Sequence, residues 1–121
     1  MMTEDYVSFE TAKLLKEKGF PIPSTNFEDC VFCMYDENGD IQWGCYHPDY
    51  YCRVTLQMAM KWLRETHNIN IEIHYNRYGE NYRYLIIYKP VVLDDIRFLG
   101  DYFHYEYACE AAIKYCLENL I

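Results

Sequence analysis

Leu56-Gln57-Met58-Ala59-Met60-Lys61-Trp62-Leu63-Arg64-Glu65-Thr66-His67, then Asn68, then Ile69-Asn70-Ile71-Glu72-Ile73, is the stretch whose reading decides the fold. Leu56, Ala59, Met60, Leu63 and His67 recur at helical spacing, so a helix gathers them into one apolar stripe. The period then changes from 3.6 to 2. Ile69, Ile71, Ile73 and Tyr75 alternate with Asn70, Glu72, His74 and Asn76 as in a half-buried strand, and Asn68 stands where a helix often ends in a left-handed residue. A helix running straight into a strand is the kernel of an α+β domain.

Working outward, Tyr82 to Tyr88 forms a second strand, antiparallel to the first across the turn Arg77-Tyr78-Gly79-Glu80-Asn81. Tyr84, Ile86 and Tyr88 point one way and Leu85 and Ile87 the other. This strand is therefore either central and covered twice, or its second face meets another subunit. Pro90 ends the ladder, and Val91 to Leu99 is expected to add a further short strand.

Upstream, Ser8 is the expected cap of a short helix with Phe9, Ala12 and Leu15 on one face. Gly19 stops it, Phe20 can fold back onto Leu15, and Pro21 and Pro23 forbid continuation. Val31 to Trp43 reads as a hairpin turning at Asn38-Gly39. Cys45 to Arg53 is aperiodic and reads as a loop into the central helix, which Thr55 caps.

Downstream, Tyr105, Cys109, Ala112, Ile113, Cys116, Leu117 and Leu120 make the stripe of a closing helix. Glu110, Lys114 and Glu118 face outward, and Glu110 and Lys114 are spaced for an i, i+4 pair. The order α-β-β-α-β-β-(β)-α implies one α+β domain spanning residues 1–121: an antiparallel sheet of about four strands with three helices mainly on one face.

Composition narrows the function classes. The chain has 121 residues, 51% apolar and 18% aromatic, which suits a packed domain rather than a disordered one. No apolar run is long enough to span a bilayer and the N-terminus lacks a secretory pattern, so a cytoplasmic protein with reduced cysteines and no membrane partner is expected. Net charge is −8, with a basic middle between acidic flanks: residues 53–92 carry six bases and three acids. That balance disfavours general binding to nucleic acid.

The one metal-like pattern is Cys30, Cys33, Cys45, His47 and Cys52, reading C-x2-C-x11-C-x-H-x4-C. Its first pair has zinc-knuckle spacing, but its second half does not repeat it, and an extended Val31-Phe32 sends Cys30 and Cys33 to opposite faces. Separate thiols beside a hairpin fit the spacing better, and no cofactor is expected. No known nucleophile, P-loop or dinucleotide signature occurs, and the four histidines are scattered.

The hairpin from His74 to Lys89 interleaves tyrosines, among them Tyr82, Tyr84 and Tyr88, with Arg77 and Arg83. Such a surface can stack the bases of a single strand, although tyrosine is also a favoured strand residue that packs its ring and wets its hydroxyl. Met58 and Trp62, at i, i+4 off the main stripe of the central helix, are the other candidate contacts.

Three blocks, Tyr6 to Phe20, Thr55 to Glu65 and Tyr107 to Leu120, resemble a family of short uncharacterised proteins from gut Bacteroides-type bacteria, their phages and mobile elements. The resemblance implies no catalytic or binding residues. It is weakest from Asn26 to Arg53, where the cysteines lie. The expected function is a non-enzymatic accessory or protein-interaction module, acting on a protein partner or by self-association. Single-stranded nucleic-acid binding through the Tyr/Arg hairpin is the alternative.

Overall fold

A computed structural model describes residues 5–21, 32–44, 47–88 and 99–121. Its elements run α1 (Phe9–Glu17), β1 (Phe32–Tyr35), β2 (Ile41–Gly44), β3 (Tyr51–Cys52), α2 (Leu56–His67), β4 (Ile69–Asn76), β5 (Asn81–Tyr88), β6 (Leu99–Tyr102) and α3 (Tyr105–Asn119). The class is α+β, with two antiparallel three-stranded sheets ordered β2-β1-β3 and β4-β5-β6.

Local chemistry sets the ends of these elements. Ser8 Oγ accepts from Thr11 N and Thr55 Oγ1 from Met58 N, so each residue caps the helix that follows it. Asn68 closes α2 in the left-handed region at φ 56°, and β4 begins one residue later. The Phe20 N–H reaches Leu15 O at 2.9 Å, the reversal expected after Gly19, itself at φ 91°. Gly39 also has positive φ, and a Cβ there would lie 3.1 Å from Phe9 Cδ1. The first hairpin turn thus rests on α1.

The expectation of one sheet of about four strands is corrected: the described residues form six strands in two sheets. Cys45 to Arg53 was expected to be loop, yet Tyr51 and Cys52 pair with Tyr35 and Met34 and complete the first sheet. A two-residue strand is too short to show a period. The extra strand expected at Val91 to Leu99 falls outside the described residues except for Leu99, where β6 starts.

Helices join the sheets. Phe9 of α1 packs edge-on against Tyr35 and Tyr51, at ring separations of 5.7 and 5.6 Å. On the other side, the β4–β5 register puts Ile71 opposite Ile86 and Ile73 opposite Tyr84, and Ile71, Ile73, Ile86 and Tyr88 pack on the core that holds Leu63, Cys109, Ile113, Cys116 and Leu117. β5 is central, with Tyr84 and Leu85 buried on opposite faces.

The α3 stripe holds at Cys109, Ala112, Ile113, Cys116 and Leu117 and gains Ala108, while Tyr105 is 38% exposed. In place of the expected Glu110–Lys114 pair, Lys114 reaches Glu10 of α1 at 2.9 Å and, one turn on in its own helix, Glu118 at 4.0 Å, while Glu110 turns to the start of α1. No described helix is long and apolar enough to cross a membrane.

A candidate partner-binding groove

Ser8 caps α1, and the third helical residue is Thr11. In a capping box that position carries an acid which reaches back to the cap N–H. Here Glu110 supplies the acid from α3. Its Oε1 accepts from Ser8 N at 3.1 Å, Ser8 Oγ at 2.5 Å and Thr11 Oγ1 at 2.6 Å. Its Oε2 is buried with no hydrogen-bond partner among the described residues.

Across from this carboxylate stands Arg53. Its N–H donates to Cys33 O at 3.1 Å, continuing the β3–β1 ladder by one residue. The guanidinium lies 4.2 Å from the Tyr6 ring centre and 5.5 Å from that of Tyr35, and a terminal nitrogen approaches Cys33 Sγ at 3.1 Å. Burial pulls its pKa down, but its interactions with Cys33 and Tyr35 together outweigh that and leave it raised. Its Nε is buried and unpartnered among the described residues.

The backbone holds both groups in place. Val7 N donates to Val54 O and Leu56 N to Asp5 O, which fastens the 5–8 segment along residues 54–56. Tyr35 Oη donates to Val7 O at 2.6 Å beneath it. Tyr6, Ser8, Arg53, Glu106, Tyr107 and Glu110 line a groove of about 390 Å³. Tyr107 is 62% exposed at its rim. The residues lining it thus carry one buried donor and one buried acceptor without a partner among the described residues, beside aromatic edges.

The residues singled out from sequence are dispersed. Met58 is exposed, while Trp62 is half-buried between Phe20 and His67, at ring separations of 5.3 and 4.8 Å. Tyr84 is buried, and Tyr88 packs half-buried on the core. Tyr82 fits between Tyr75 and Tyr105, at 5.2 and 6.0 Å. Arg83 pairs with Asp101 at 3.1 Å, and Arg77 is exposed in the turn. Because Tyr82, Tyr84 and Tyr88 alternate with Arg83, the rings and this cation leave the sheet on opposite faces.

Cys30 and Cys45 lie outside the described residues. Cys33 and Cys52 are free thiols, and the register opposes Met34, not Cys33, to Cys52, so the two side chains leave the sheet on opposite faces. One zinc ion with bonds of about 2.3 Å cannot reach both. His47 stacks on Tyr50 at 4.2 Å and accepts from Asp49 N at 3.1 Å. Among the described residues no three potential ligands gather.

Sequence reading overlooked Arg53, Glu110, Tyr6 and Tyr107. The Ser8 cap was visible, but nothing in the local sequence pairs it with Glu110, 102 positions away. No protein-family model matches the chain, and neither a curated protein nor a solved structure matches it significantly.

Proposed function

We propose that this chain is a non-enzymatic interaction module whose groove takes an extended peptide segment of a partner protein. The supporting observation is the pair of orphaned buried atoms, Arg53 Nε and Glu110 Oε2, on residues lining one cleft. A buried polar group without a partner costs about 1–3 kcal/mol, so such groups are normally satisfied by water or a ligand. A peptide unit carries one acceptor and one donor, one for each of these atoms. The rim tyrosines add flat contact area that loses little conformational freedom on binding. The block resemblance supports a cytoplasmic accessory role for a phage or mobile element.

The test is an NMR titration with end-capped tripeptides of varied side chains. Saturable shifts at the amides of Ser8, Arg53, Tyr107 and Glu110, weakened several-fold by Tyr107→Ala, are the expected result. A library that leaves those four amides unmoved at millimolar peptide sinks the reading. Single-stranded oligonucleotides run alongside; saturable binding that falls steeply with salt would favour the hairpin instead.

A further inference from the structure

A different cavity lies between α1 and β3. Ala12 and Leu15 line it from the helix, Phe20 and Pro21 from the turn that follows, and Cys52 and Val54 from the strand side, around a volume of about 270 Å³. Local sequence builds it. Ala12 puts only a methyl on the inner face of α1, and Gly19, at φ 91°, brings Phe20 back so that its N–H bonds to Leu15 O and its ring meets Trp62 edge-on at 5.3 Å. The walls are apolar. Cys52 belongs with them, because burial raises its pKa and keeps the thiol neutral.

The rim carries a charge. Lys16, one turn on from Ala12, lines the same cavity, and its Nζ donates to Pro48 O at 2.5 Å and to Tyr50 O at 3.2 Å while standing 5.0 Å from the Tyr51 ring centre. Those contacts fix its place. An ammonium has three N–H donors, of which two are committed to these carbonyls, and its field reaches the Cys52 thiol on the wall.

We propose that this cavity binds the anion of a medium-chain fatty acid, with the carboxylate on Lys16 and the acyl chain between α1 and β3. An apolar cavity of about 150 Å³ already takes up benzene, so this one has room for a chain of about eight carbons. The walls reject polar groups, and the ammonium favours an acid over an alcohol or amine of equal length through a charge-assisted hydrogen bond.

NMR titration of the full chain with butanoate, hexanoate and octanoate tests it, with octanol and octylamine as controls of matching length. Saturable shifts are expected at the amides of Ala12, Leu15, Cys52 and Val54, with affinity rising about fourfold per methylene. Octanol should bind about three- to fivefold more weakly than octanoate, the modest margin of an ion pair at an exposed rim, and octylamine more weakly still. Lys16 is exposed, so Lys16→Met should fold normally, bring octanoate down to the affinity of octanol and leave octanol unchanged. Lys16→Arg should keep the preference for the acid. Octanoate that leaves those four amides unmoved at millimolar concentration overturns the proposal. So does equal affinity for octanoate and octanol, or octanoate binding that Lys16→Met leaves unaltered. The cavity shares no lining residue with the groove, so these failures leave the peptide reading standing.

Discussion

Glu110 has two oxygens with different roles. Oε1 gathers three donors and locks the first turn of α1 to α3, while Oε2 is buried without a partner among the described residues. Glu110→Ala should therefore cost about 1–2 kcal/mol in urea melts, a partly exposed site falling short of the full value for charged hydrogen bonds. Thr11→Val, which removes a fully buried hydroxyl, should cost about 1 kcal/mol by the same measurement. The buried thiols make a pH prediction. Burial pushes Cys109 up to about 11 and Cys116 up to about 12, from an ordinary 9. Above pH 9 the unfolded thiols lose protons that the folded ones keep. Their contribution is thus intact below pH 9 and falls away as pH rises to about 11 and then about 12. Urea midpoints should drop between about pH 9 and about pH 12, and drop less in Cys116→Ala. Tyr84 and Tyr105, also raised chiefly by burial, add to the loss in the same direction.

At the scale of elements, the α2–β4 junction carries the most information. The change of period from Leu63 to Ile71 marks helix and strand, and Asn68 between them takes the left-handed conformation such a switch needs. Asn68→Gly should be nearly neutral, whereas Asn68→Val should cost about 1–2 kcal/mol in the same melts, because a β-branched side chain crowds its own backbone there. The caps at Ser8 and Thr55, the Asn38-Gly39 turn and the buried stripe of α3 were legible for the same reason: each is encoded within one or two turns of chain. β3 was not legible. Its two residues carry no period, and the β1 edge that orders them is some sixteen residues away along the chain.

Across the whole molecule, one cluster unites Tyr35 and Val54 near the first sheet with Ile69 of the second and Ile113 of α3. The two sheets share no strand; α1, which packs on both β3 and α3, and this cluster couple them. Ile113→Ala should cost about 2–5 kcal/mol, a large share of the roughly 5–15 kcal/mol expected for a domain. If the halves unfold together, native-state hydrogen exchange should show protection at Met34 and at Leu85, buried in different sheets, falling by the same amount. Loss at only one of them would mean two independent folding units.

The sequence by itself determined the α+β class, three helices, four of the strands and which side of each main element is apolar, because those properties follow from periods of 3.6 and 2 over neighbouring residues. Only the tertiary structure decided the split into two sheets, the burial of Tyr84 and the meeting of Ser8 with Glu110, which lie 102 positions apart. Periodicity states that a face is apolar but not which other face it will meet. That choice belongs to packing, and with it the groove between Arg53 and Glu110.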